Sequence, residues 1–193
     1  MNGHEQLLRF NGGYRNLKSF KLARVCYDVT CRFVQLYIPA GSRTRDQMEQ
    51  AARSGVQNIA EGSVAAATSS RAELKLTNVA RASLEELRLD YEDYLRRHGF
   101  AKWPEHDMLR DDFIRRRIAD NRQFREFVEW AEAQEPALPK DAIVANAALL
   151  LIEAASYFLG RQIMNLSEKF LSEGGFAERM AGMRKDRRRK DDL

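Results

Sequence analysis

The chain has 193 residues, with 32 basic and 28 acidic side chains and a formal charge of +4 at pH 7. Its 44% hydrophobic and 31% charged residues suffice to bury a core, which excludes a wholly disordered chain. Only 11 Gly and 4 Pro are present, too few for the turns of a many-stranded sandwich or barrel, so a mostly helical protein is expected.

Residues 1–20 carry charges throughout and hold no apolar run of signal-peptide length, so no export signal is expected. A first helix is expected over residues 14–38, where Leu17, Phe20, Ala23, Tyr27, Val34 and Ile38 recur at helical spacing before Pro39-Ala40-Gly41 stops it. Cys26 and Cys31 are five apart on it, about 140° around the axis, and cannot bridge each other. Two free thiols suit a reducing compartment, and a cytoplasmic location is expected.

The second helix, 44–62, starts at a Thr44 or Ser42 cap with Asp46 in its first turn, where the helix dipole favours an acid. Met48, Ala51, Ala52, Gly55, Val56 and Ile59 give it a face of mostly small residues, suited to close approach of another helix. Gly62 is expected to end it in a left-handed conformation.

A third helix, 69–97, begins at Ser69 or Ser70 with Glu73 in a capping box. Leu76, Val79, Ala80, Ser83, Leu84, Leu87, Tyr91, Tyr94 and Leu95 are expected to face inward. Arg81, Glu85, Arg88, Glu92 and Arg96 form a solvated, ion-paired outer face. Gly99 breaks the pattern. Residues 99–140 then read as an insertion of two short amphipathic helices with aromatic anchors, packed on the main body.

The last long helix spans 141–172 and contains the most apolar stretch of the chain, Ala142 to Leu159. Asn146, Glu153 and Ser156 lie inside that stretch and favour burial by protein over a membrane. Gly174-Gly175 closes the helix, and a basic tail occupies 179–193, expected to be disordered. The expected architecture is all-α: an antiparallel up-down four-helix bundle over 1–178, with a helical insertion between the third and fourth long helices.

The run Arg53-Ser54-Gly55-Val56-Gln57-Asn58-Ile59-Ala60-Glu61-Gly62, followed by Glu73, Leu76, Ala80, Ser83 and Glu86, is distinctive. It resembles a bacterial four-helix-bundle family first noticed in proteins encoded by intervening sequences of large-subunit ribosomal RNA genes. The resemblance covers Tyr14 to about Leu95 and, more loosely, the final helix; Gly174 to Phe176 is similar to a subgroup with a C-terminal extension. It implies a ring, most often a homopentamer, with no enzymatic activity. It also implies a distant relation to the accessory variability protein of diversity-generating retroelements, which binds nucleic acid and a reverse transcriptase.

The signature residues Arg53, Asn58, Glu61, Gly62, Glu73, Ser83 and Glu86 are expected to be structural. Glu61 or Asn58 would close the loop at Gly62, and Arg53 would pair with Glu86 or Glu73 across helices. No catalytic residue, metal site or cofactor is expected. Di-iron bundles need inward Glu-x-x-His pairs, and His4, His98 and His106 have none. No Gly-x-Ser-x-Gly run or phosphate loop occurs.

Positive charge concentrates in two places. Arg15, Lys18, Lys21 and Arg24 sweep about half the circumference of the first helix, and Arg184, Lys185, Arg187, Arg188, Arg189 and Lys190 crowd the tail. Residues 1–100 balance at +4, 101–178 at −4 and 179–193 at +4. Either cluster suits phosphates, and a ring would multiply a weak site. The leading expectation is a ring-forming accessory protein that binds RNA or single-stranded DNA. The alternative is a scaffold that docks a partner encoded nearby on the aromatic residues of the insertion, Trp103, Phe113, Phe124, Phe127 and Trp130.

Overall fold

A computed structural model describes residues 13–173. They form six α-helices and no strand: α1 (Lys18–Tyr37), α2 (Arg43–Ala65), α3 (Ser70–Arg97), α4 (Met108–Arg116), α5 (Asn121–Gln134) and α6 (Lys140–Glu173). The chain is all-helical across this range.

Local chemistry sets most boundaries. Leu17 is extended and separates a 3₁₀ turn, Gly13–Asn16, from α1, so the first helix begins four residues later than its periodicity suggests. Ser42 caps α2 by accepting from the Thr44 N–H. At the end of α3, Gly99 takes φ +71°. There the Phe100 N–H reaches the Leu95 carbonyl and the Gly99 N–H that of Arg96, the bond pair that satisfies orphan carbonyls at a left-handed helix end. Asp107 caps α4 through the N–H groups of Leu109 and Arg110, and Asp120 caps α5 through that of Gln123.

Two expectations about α2 and α3 are corrected. Gly62 does not end α2, which continues to Ala65; Gly62 is helical and buried. A Cβ there would lie 3.3 Å from Leu76 Cβ and 3.4 Å from the Glu73 carbonyl oxygen, so the glycine permits close helix contact rather than a left-handed turn. Glu73 makes no capping box. Ser69 is the cap and bonds the Ala72 N–H, which places Glu73 one position too far along.

Helices α1, α2, α3 and α6 make the main contacts, α2 with α3, α3 with α6, α6 with α1 and α1 with α2. The chain directions follow from paired contacts. Gly55 meets Leu84 while Gly62 meets Leu76, so α2 and α3 are antiparallel. Ser19 at the start of α1 donates to Gln162 late in α6, and Tyr94 near the end of α3 donates to Asp141 at the start of α6, 2.6 Å away. Between these helices lie Phe33, Met48, Ile59, Leu84, Leu87, Ile152 and Leu159, all essentially inaccessible.

Tyr91 is buried with them and its hydroxyl is 3.1 Å from Thr30 Oγ1. Thr30 donates its one proton to the Cys26 carbonyl, so Tyr91 is the donor in that pair. Burial pushes the Tyr91 hydroxyl and the Cys26 thiol well above their usual pKa values, leaving both neutral and unreactive.

The inserted helices α4 and α5 pack on α6, and α5 also touches α1. Phe113, Phe124 and Phe127 stack edge to face beneath them. Asn146, buried on α6, holds the chain entering the insertion: its Oδ1 accepts from the Trp103 N–H at 2.9 Å, and its Nδ2 donates to the carbonyls of Ala101 and Ala142. Helix α6 is long and apolar enough to cross a membrane, yet 67% of its most apolar window is buried by the other helices. The α3 outer face is ion-paired as expected, Arg88 bridging Glu85 and Glu92. Val79 departs from the inward stripe and is 38% exposed.

Candidate nucleic-acid interface

The signature residues meet differently from the expected pairing. Asn58 turns back one helical turn and donates to the carbonyl and hydroxyl of Ser54, and Ser54 Oγ lies 2.9 Å from the buried Ser83 Oγ. A side-chain relay therefore ties α2 to α3 beside the Gly55–Leu84 contact. Asn58 does not close the loop after Gly62, and Glu61 is exposed. Arg53 is exposed beside Tyr27, and among the described residues no ion pair joins it to Glu73 or Glu86. Arg53 lies on the α1 side of α2, whereas Glu86 lines the α2/α3 groove with Gln50 and Ser54, so the expected pairing does not form. Ser54 was the missed partner; its spacing of four from Asn58 is the signal that points to it.

Glu73 is half-buried, and burial raises its pKa despite the nearby Lys169. Glu86 is exposed and lines a groove between α2 and α3 with Asp46, Asp90 and the exposed Leu89. Among the described residues no group of three or more His, Cys, Asp or Glu side chains is placed to hold a metal ion.

The basic residues of the first helix divide. Arg15 stands in the 3₁₀ turn against the Tyr14 ring. Arg24 is held on its own helix, 3.4 Å from Asp28 and over the Tyr27 ring. Lys18 and Lys21 line a groove of about 720 Å³ between α1, α4 and α6. The tail residues Arg184, Lys185, Arg187, Arg188, Arg189 and Lys190 lie outside the described residues.

The floor of this groove is apolar: Leu22 from α1, Phe113 from α4, and Leu150, Leu151 and Ala154 from α6. Its far wall brings Arg110 and Arg117, two cations from the segment whose linear charge is negative. Among the described residues Glu153 is the one acid in the lining, 3.9 Å from Arg110. Asp112 explains which arginines of the run 115–117 are available. Buried on α4, it pairs with Arg115 and Arg116 at three- and four-residue spacing, and Arg116 also covers the Trp130 ring. Arg117 follows in a left-handed conformation at φ 50°, which swings it off the helix and toward the groove.

Two apolar side chains flank the opening, Ile114 at 52% and Tyr157 at 60% exposure. Phe158 is half-buried beside Tyr157, its ring in edge contact with it and 5.3 Å from Lys18 Nζ. Arg110, Arg117 and Tyr157 were not legible as site residues in the sequence, because only the packing of the insertion on α6 unites them with Lys18 and Lys21.

The aromatic residues expected to form a docking surface do not form one. Trp103, Phe113, Phe124 and Phe127 are buried in the core and Trp130 is half-buried under Arg116. They hold the insertion down because its short helices have no other apolar face to bury. Comparison with family models, curated proteins and solved structures finds no match to this chain.

Proposed function

We propose that the chain is a non-enzymatic accessory protein that binds nucleic acid, RNA ahead of DNA, on the basic groove between α1, α4 and α6. The observation that carries this reading is the convergence of Lys18, Lys21, Arg110 and Arg117 around one opening to which the described residues contribute a single carboxylate. Phosphates attract such a cluster through counterion release, without any catalytic group. The α2/α3 groove, with Asp46, Glu86 and Asp90, repels the same ligand and so orients the protein on it.

The antiparallel contacts of α1, α2, α3 and α6 support an up-down four-helix bundle as the scaffold. The resemblance of the Arg53–Gly62 run supports membership of the intervening-sequence-encoded family and a ring, with a homopentamer favoured. Exposed Val79 and Leu89 on α3 supply apolar surface for self-association away from the basic groove. The buried, unreactive Cys26 accords with action in the cytoplasm.

The reading is tested by fluorescence anisotropy of a labelled single-stranded RNA across a salt series. Binding that weakens steeply with salt supports it; no binding at low salt, or binding indifferent to salt, refutes it. A chain ended at Glu178 separates the tail from the groove: it keeps salt-sensitive binding where the groove carries affinity and loses it where the tail does. Light scattering of the wild type and of Leu89→Glu tests the ring. A second reading, an adaptor for a partner protein, draws on the apolar floor and the exposed Ile114 of the same groove rather than on the buried aromatics.

A further inference from the structure

We infer that the α1/α4/α6 groove selects unpaired over duplex nucleic acid, with a base stacked on Tyr157 while the flanking phosphates meet Lys18 and Lys21 on one wall and Arg110 and Arg117 on the other. This inference rests on the nucleic-acid reading above and names the form of ligand that the groove takes.

Cations alone suit any polyanion, and a convex duplex is well served by a flat basic surface. Here the cations stand on two facing walls around a depression of about 720 Å³, within the size range of small-ligand sites. Its floor offers Leu22, Leu150 and Ala154, which gain nothing from phosphates and are left wet by a duplex whose base faces are already stacked inside. A single strand can turn a base inward and cover that surface.

Tyr157 is the platform the geometry provides. It lines the groove at 60% exposure and is the one aromatic among the large exposed hydrophobic side chains of the described residues. Its ring is braced in edge contact by Phe158, with centroids 5.4 Å apart at 74°. Lys18 lies on the same Phe158 ring, so a stacking face and a phosphate contact sit within one nucleotide's reach of each other. An aromatic face inside a basic groove is the arrangement by which proteins hold single strands without reading sequence. A stacked base also keeps its polar edge at the open side of the groove, where water can bond it. It therefore asks for no hydrogen bond from the aliphatic floor.

The experiment uses the full chain and one labelled 12-nucleotide RNA, free and annealed to its complement, in anisotropy titrations at three salt concentrations. The free strand is expected to bind about ten-fold tighter than the duplex, or more. Tyr157→Ala should weaken the free strand by about ten-fold with little effect on the duplex or on the salt slope, because stacking is not ionic. Tyr157→Phe should restore the preference. Lys21→Gln and Arg117→Gln should each flatten the log-log salt slope by about 0.7. Tyr157 is exposed, and unchanged circular dichroism would confirm that its variants fold. Equal binding of strand and duplex, with Tyr157→Ala silent, overturns the inference and leaves the nucleic-acid reading standing. Failure of both RNAs to bind at low salt removes both. An acidic amphipathic helical peptide that binds the groove when neither RNA does would assign it to a protein partner and also overturn the inference.

Discussion

Asn146 sets the position of the insertion and hence of half the basic groove, so its replacement tests whether the site depends on this one buried amide. Asn146→Ala removes three hydrogen bonds, but their costs differ. The Ala142 carbonyl can keep its helical partner, and exposed Ala101 can turn its carbonyl to water. The Trp103 N–H sits on a residue only 8% exposed and is left without an acceptor, at about 1–3 kcal/mol. Loss of the amide volume in a packed interior adds about 1 kcal/mol, for a total of about 2–4 kcal/mol. Asn146→Asp sharpens the test. It keeps an acceptor for the Trp103 N–H but turns an oxygen toward the two carbonyls that the amide donated to. Only the protonated acid can donate there, so its folded pKa rises above the unfolded value of about 3.9. A raised folded pKa means that the contribution is fully present below about pH 4 and is lost as pH climbs through the folded value. Urea unfolding followed by circular dichroism should therefore place Asn146→Asp near wild type at pH 4 and near Asn146→Ala at pH 7. Hydrogen exchange should quicken over residues 100–118 in both variants at pH 7. A loss under about 0.5 kcal/mol for Asn146→Ala, or a pH-independent gap between Asn146→Asp and wild type, would refute the reasoning.

Three further outcomes can be checked by the same unfolding measurements. Thr30→Val strands the buried Tyr91 hydroxyl and should cost about 2 kcal/mol, more than Tyr91→Phe, which leaves Thr30 bonded to the Cys26 carbonyl; the double variant should cost clearly less than the sum, and additivity would contradict the Thr30–Tyr91 bond. Gly55→Ala and Gly160→Ala should have opposite signs. A Cβ at Gly55 would lie 2.9 Å from the buried Leu84 Cδ2, and overpacking outweighs the helix-propensity gain, whereas Gly160 faces open space and should gain up to about 1 kcal/mol from the same substitution. Burial raises the Glu73 pKa, so its charge penalty appears as pH rises through the folded value. Glu73→Gln should therefore raise the unfolding midpoint slightly at pH 7 and match wild type below pH 4; destabilisation at pH 7 would instead reveal a partner for the carboxylate.

Helix existence was legible because hydrophobic period is a local property of the chain. Residues 141–172 are expected and Lys140–Glu173 is observed, and two short helices, α4 and α5, lie between Gly99 and that helix. What escaped was decided by neighbours distant in sequence. Gly62 has the same local signature whether it ends a helix or admits another one. The approach of Leu76 and the Glu73 carbonyl, more than ten residues on, makes it the second. Ser69 and Ser70 were equivalent as caps by spacing alone, and the choice of Ser69 removed Glu73 from the capping box.

Charge shows the same limit more sharply, because residue balances are sums along a line while a ligand meets a surface. The segment 101–178 is acidic by count. Yet Asp112 consumes Arg115 and Arg116 on its own helix, and the left-handed turn at Arg117 delivers one arginine of that run to the groove. On the first helix the even spacing of Arg15, Lys18, Lys21 and Arg24 sweeps them over about half the circumference as one basic cluster. Asp28 and Tyr27 engage Arg24 on its own helix, and of the four Lys18 and Lys21 line the groove. The groove thus takes two cations from a basic segment and two from an acidic one. Its charge depends on how α4 docks against α6 more than on the net charge of either segment. It follows that variants which loosen that docking without touching a cation, Asn146→Ala first among them, should weaken nucleic-acid binding and flatten its salt slope together.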